Sequence, residues 1–178
     1  MRLLCVLALA LLLALGADCR ADGPDYARAA LPQARLAGQG QYRWFGLKIY
    51  EAKLWVGHAG YVCAAPFVLE LRYAASLSGV RIADASIDQI RRIGHGTREQ
   101  HQRWLERMRA LFPDVADGTT LAGVFTPERG VRFYRDGAPL GEVEDPEFAR
   151  AFAGIWLDPA SSAPDLRRAL LADAGARE

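Results

Sequence analysis

The stretch "RLAGQGQYRWFGLKIYEAKLWV", residues 35–56, decides the fold. Its first half alternates. Arg35, Ala37, Gln39, Gln41 and Arg43 point one way, and Leu36, Gly38, Gly40, Tyr42 and Trp44 point the other. That period is the mark of a half-buried strand. Phe45–Gly46 is a break or bulge, and Leu47 to Val56 reads as a second strand that ends in the turn Gly57-His58-Ala59-Gly60. Gly38-Gln39-Gly40 lacks the following helix and the lysine–serine pair of a phosphate loop. It reads instead as strand that is bent, or closely approached by something bulky.

The same stretch holds the only two lysines, Lys48 and Lys53; the other 20 basic residues are arginine. Their spacing puts them on opposite sides of a strand, so they cannot form one site. Lys53 shares a face with Glu51, within ionic reach. Both read as snorkelling lysines on a scaffold strand rather than as a buried base or nucleophile. Tyr50 shares its face with Ala52, Leu54 and Val56. A hydroxyl in such apolar company needs a partner, and a ligand oxygen could serve. Arg43 lies on the polar side of the preceding strand; buried, its guanidinium would demand an anion, whereas solvated it is an ordinary surface residue. Arg43 and Tyr50 are thus the candidate polar end of a binding site.

Downstream, Phe67, Leu69, Leu71 and Tyr73 share the inner face of a third strand. The period then changes. Ile87, Ile90 and Ile93 fall on one helix face, and Gly94 is a helix stop. Thr97 opens a longer helix whose stripe runs from His101 through Trp104 and Met108 to Phe112, before Pro113. Residues 119–143 read as strands, with Asp136-Gly137 a tight-hairpin signal. Asp145-Pro146 starts a helix with Phe148, Phe152, Ile155 and Trp156 on its buried stripe. Ser162-Ala163-Pro164-Asp165 starts a last short helix that turns Leu166, Ala169 and Leu170 inward. This order predicts an α+β fold: an antiparallel β-sheet with a layer of helices on one face.

Upstream, Arg2 precedes the apolar run Leu3–Leu15, which has the length of a signal-peptide core and is too short for a comfortable membrane span. Residues 1–21 are expected to be removed on export to the periplasm. Residues 22–33 read as a loose arm, 34–172 as one domain and 173–178 as a frayed tail. The mature chain of about 157 residues has the size of one domain, and no membrane span is expected in it. Without Arg2, Arg20 and Asp18 it carries 20 basic and 20 acidic residues, a balance that argues against nucleic acid as partner. Cys63 has a bridging partner only if Cys19 is retained.

Catalytic and metal motifs are sparse. His95 and His101 are six apart, with no cysteine or clustered carboxylates to complete a ligand set. His101 reads as the polar end of a core stripe. There is no GxSxG nucleophile elbow, and neither a metal nor a cofactor is expected.

Three stretches, "GQGQYRWFGLKIYEAKLW" (38–55), "LFPDVADGTTLAGVFTPERGVRFYRDG" (111–137) and "FARAFAGIWLDPASSAPDLRRALL" (148–171), resemble the chalcone isomerase-like family, specifically its exported bacterial branch. The resemblance implies an antiparallel sheet under a layer of helices, with an apolar cleft between them. Enzymes of that family cyclise a chalcone using an arginine, a strand threonine, a tyrosine and a late hydroxyl or amide. Here the threonine position holds Tyr50, the arginine position falls near Gly38 and the late position near Gly154. Lys48 fills a family lysine position that is not catalytic. Other branches are non-catalytic and bind fatty acids in the same cleft. The resemblance therefore implies binding of a small apolar ligand, fatty-acid-like and ending in a carboxylate. The alternative is an isomerase or intramolecular lyase with a rearranged polar set.

Overall fold

A computed structural model describes residues 23–175. The expected signal segment 1–21, with its cleavage site and Cys19, lies outside the described residues, as do residue 22 of the arm and 176–178 of the tail.

Six strands, β1 (Arg35–Trp44), β2 (Leu47–Val56), β3 (Phe67–Tyr73), β4 (Thr120–Thr126), β5 (Gly130–Arg135) and β6 (Ala138–Val143), form one antiparallel sheet in chain order. Helices α2 (Gly79–Arg92), α3 (Arg98–Leu111), α4 (Pro146–Leu157) and α5 (Pro164–Leu170) supply the layer that the sequence predicts. Leu54, Leu69, Phe125 and Phe133 line the inner face of the sheet and share one core with Ile87, Ile90, Met108, Phe148 and Leu166 from the helices. Each such side chain contributes about 1.5–3 kcal/mol when it leaves water, so an apolar sheet face draws the amphipathic helices onto itself.

The starts of α2, α3 and α4 are fixed by side-chain caps. Ser78 Oγ accepts from the Arg81 N–H, Thr97 and Gln100 form a reciprocal capping box, and Asp145 accepts from the N–H groups of Glu147 and Phe148. Caps of this kind contribute about 1 kcal/mol each. The Ser78 cap shows why α2 begins at Gly79, well before the isoleucine stripe that betrays its second half.

The Phe45–Gly46 break is the turn of the β1–β2 hairpin, with φ of +46° and +80°. Strict alternation fails near Leu36. The register shifts between Leu36 and Gly38, so Leu36 packs on the outer face while Ala37 joins the inner core. One extra residue in a bulge produces that swap. Beyond it, Gly38 and Gly40 admit α5. A Cβ on Gly38 would lie 2.1 Å from the Ala169 carbonyl oxygen, and one on Gly40 would lie 2.8 Å from Leu166 Cδ1.

Three expectations are corrected. The arm at 22–33 contains α1 (Asp25–Ala30), which buries Tyr26 and Ala27, with Leu31 beyond it, against Trp55, Val68, Ala122 and Val124 on the outer sheet face. The tail does not fray directly after 172: the Asp173 N–H donates to the carbonyl of bulged Ala37 at 2.8 Å, and Tyr61 N–H donates to the Ala174 carbonyl at 2.7 Å. Glu51 pairs with Lys48, at 3.4 Å, rather than with Lys53. A register shift between Tyr42 and Arg43 twists that end of the hairpin and brings Lys48 round.

Candidate functional site

Between the inner sheet face and helices α2 and α4 lies a cavity of about 410 Å³, within the range of small-molecule sites. Its deep end is aromatic. Phe112, Phe125 and Phe133 surround Phe152, with ring centroids 5.5–6.2 Å from the Phe152 ring. Leu69, Leu71 and Leu121 form the sheet-side wall. Phe152 and Trp156 are buried core residues as their helical spacing predicts, and both also face the cavity.

Three tyrosines form the cavity's polar side. The Tyr42 and Tyr50 rings stack at 5.1 Å, and Tyr73 meets Tyr50 edge-on at 5.8 Å. Strand pairing sets this cluster, because Tyr50 is the cross-strand partner of both Tyr42 and Tyr73. Trp156 Nε1–H donates to the Tyr50 hydroxyl at 3.0 Å. Burial pushes the Tyr50 phenol well above its ordinary range, against a smaller lowering by the Trp156 bond. Burial does the same to Tyr73. Both hydroxyls therefore stay neutral at physiological pH and serve as hydrogen-bond donors or acceptors, not as phenolates. Among the described residues, neither Tyr42 nor Tyr73 has a hydrogen-bond partner for its hydroxyl.

The structure does not bring the two candidate residues together. Tyr50 lines the cavity; Arg43 does not. Arg43 is exposed near the hairpin tip, where its guanidinium donates to the Gly46 carbonyl at 3.0 Å and to Gln41 Oε1 at 3.1 Å. The cation that lines the cavity is Arg81, in the first turn of α2. Its side chain is exposed at the rim and has no carboxylate partner among the described residues. Gln89 and Ser162 lie along the same rim, with Ser162 Oγ donating to Gln89 Oε1 at 2.6 Å. Sequence reasoning missed Arg81 because it missed the first half of α2. The available signal was Ser78 as a cap followed by Arg81, Ala85 and Gln89 at helical spacing.

Elsewhere, His95 Nε2 lies 3.1 Å from Asp158 Oδ2, and His101 Nε2 lies 2.7 Å from the His95 carbonyl oxygen. The backbone N–H of Ala160, then His95, hold the Asp158 carboxyl below its usual range. These contacts tie α3 and α4 to the loop between α2 and α3, away from the cavity. Among the described residues, no three His, Cys, Asp or Glu side chains are grouped as a metal ion would require. No helix among them is long and apolar enough to cross a membrane.

A family model described as chalcone isomerase-like matches residues 22–172. The chain belongs to the chalcone isomerase-like family. A relative in Haemophilus influenzae, named only as an uncharacterized protein, is 30% identical over 135 residues, covering 75% of this chain and 66% of that one. The chain thus spans just under two thirds of that relative's length. Among solved structures, a fatty-acid binding protein of Arabidopsis thaliana superposes with a TM-score of 0.62 at 14% identity, over 82% of this chain and 91% of the other. That likeness establishes the chalcone isomerase-like fold. Two of the positions where the resemblance places catalytic groups, Gly38 and Gly154, carry packing here, whereas the third, Tyr50, lines the cavity. Gly38 lies under α5, and a Cβ on Gly154 would lie 2.8 Å from Ile93 Cδ1.

Proposed function

We propose that this chalcone isomerase-like domain is a non-catalytic binding protein for an elongated apolar ligand, fatty-acid-like, held between sheet and helices. The observation that carries the reading is the cavity itself: aromatic at its deep end, with neutral tyrosines on one side and a single cation, Arg81, at the rim. The tail of an amphiphile would fill the phenylalanine end, where burial contributes about 25 cal/mol per Å² of apolar surface. A carboxylate would meet Arg81, and an oxygen closer in would meet Tyr42 or Tyr73. The fatty-acid binding activity named for the Arabidopsis neighbour supports this choice of ligand class.

The geometry gives the isomerase alternative less support. Cyclisation needs donors placed at the developing enolate, each typically worth about 2.7–4 kcal/mol. The rearranged pair Arg43 and Tyr50 is not assembled, and Gly38 and Gly154 offer no side chain. Titration of the protein with saturated fatty acids of increasing length, beside a chalcone turnover assay, tests the reading. Saturable binding that weakens in Arg81→Leu, without turnover, is the expected result. Robust turnover abolished in Tyr50→Phe would overturn it.

We also propose export to the periplasm, from the Arg2 charge and the apolar run Leu3–Leu15. Mass spectrometry of protein from the native host should show loss of residues 1–21; an intact Met1 in a cytoplasmic fraction would refute export.

A further inference from the structure

The β1–β2 hairpin ends in a tip that the fold does not explain. Among the described residues five large apolar side chains are exposed, and three of them are here: Trp44 at 60%, Phe45 at 88% and Leu47 at 70%. Phe45 sits at φ +46° and is followed by Gly46 at φ +80°. A turn with both central residues at positive φ favours Asn-Gly or Gly-Gly, and a phenylalanine there is strained. Among the described aromatic rings it meets only Trp44, edge-on at 4.9 Å. Thus the tip carries both a conformational cost and an exposed aromatic pair.

The surrounding charge is one-sided. No acidic residue occurs between Asp25 and Glu51, whereas Arg43 and Lys48 flank the tip. Arg43 donates only to neutral oxygens, and Glu51 offsets Lys48 alone. Trp44 also lines the cavity, and so does exposed Arg81. The acidic residues of α2 are occupied elsewhere, Asp84 by Arg109 at 2.7 Å and Asp88 by Arg91 at 3.2 Å. Aromatic rings beside unpaired cations, at the mouth of an apolar cavity, match the chemistry of an anionic lipid interface. Tryptophan prefers the headgroup level, apolar neighbours reach the acyl boundary, and basic residues meet the negative surface.

We infer that the Trp44–Leu47 tip inserts into the interface of an anionic lipid bilayer, so that the cavity mouth meets the membrane from which an apolar ligand is taken or to which it is returned. The contact stands on the tip alone; its purpose rests on the binding reading above.

Trp44 supplies a local probe, because Trp55, Trp104 and Trp156 are only 2–6% exposed. The full chain is mixed with vesicles of phosphatidylglycerol and phosphatidylcholine in equal parts, or of phosphatidylcholine alone. Emission is read together with quenching by acyl-brominated lipid. A blue shift and quenching with the anionic vesicles are expected, with binding to the neutral ones weaker by about fivefold per unpaired arginine at the surface. The double variant Phe45→Asn, Leu47→Ser keeps Trp44 and should bind at least about tenfold more weakly. Asparagine suits positive φ, so this variant should melt no lower than wild type, which separates lost docking from lost folding. Neither Phe45 nor Leu47 lines the cavity, so its fatty-acid titration in detergent-free buffer should be unchanged. Vesicle binding without fatty-acid binding in wild type would refute the cavity reading and leave the docking intact. Four results would overturn the docking: no Trp44 response to either vesicle, an undiminished response in the double variant, equal binding to neutral vesicles, or a Trp44 shift that tracks self-association without lipid.

Discussion

Tyr50 is where stability and the candidate site meet. Its hydroxyl accepts from Trp156, and its ring bridges Tyr42 and Tyr73. Tyr50→Phe keeps the ring but leaves the Trp156 N–H without its acceptor, which should cost about 1–3 kcal/mol in urea unfolding. Adding Trp156→Phe should recover part of that loss, because no orphaned donor then remains; an undiminished loss in the double variant would show that the bond is not the cause. The tyrosines also set an alkaline limit. Burial, with Glu70 adding to it for Tyr26, raises the phenols of Tyr26, Tyr50 and Tyr73 above the unfolded value of about 10. Below that pH both states are protonated and the contribution is complete. Above it the unfolded chain ionises while the folded one does not, so stability falls as pH rises. The urea midpoint should begin to drop at about pH 10, where the unfolded phenols ionise, and go on falling as pH rises further. At this scale alternation was enough to place Tyr50 on the inner face. It could not tell that Arg43 sits where the hairpin has run past the core, nor that Arg81, in a stretch that looks like a solvated face, stands at the rim.

The close packing of α5 on β1 explains two glycines and a bulge together. A Cβ at Gly38 meets backbone of α5, which cannot rotate away; one at Gly40 meets the end of the Leu166 side chain, which can. Gly38→Ala should therefore lower stability by about 1–3 kcal/mol, and Gly40→Ala by less. Thermal melts of the two variants compare them directly, and equal losses would mean that α5 yields as a body. The glycine pair was readable as a close approach, but its partner was not, because nothing local names a helix more than a hundred residues away. Helices with strong stripes, such as α3 and α4, were legible. The start of α2 was not: the positions it buries before Ile87 are the small residues Gly79, Ala83 and Ser86, which draw no large apolar stripe in the sequence. α1 is one short turn-rich segment whose helicity depends on the sheet beneath it, since isolated helices of this length are marginal.

The molecule as a whole is a sheet covered on both faces, by four helices on one and by α1 on the other. The two covers are separable. Ala27 is fully buried on the outer face, so Ala27→Glu should detach α1, uncover Trp55 and red-shift its emission, while the inner core and fatty-acid binding persist. Loss of binding as well would show that the two faces are coupled. The α+β class was legible because period-two stretches alternate with turn signals and helical stripes down the chain. The second cover was not, since Trp55 and Val68 pointing outward read equally well as an ordinary sheet surface. The strand order has a kinetic consequence. Four of the five connections between neighbouring strands run directly from one strand to the next, but between β3 and β4 the chain detours through α2 and α3. Closing that loop is the costly long-range step. The sheet is then two locally assembled ribbons of three strands joined at one seam, and the seam should close last. Pulse-labelled hydrogen exchange during refolding should show β1–β2 and β5–β6 amides protected ahead of those exchanged between Leu69 and Gly123, and protection of all three sets together would mean that the sheet condenses in a single event.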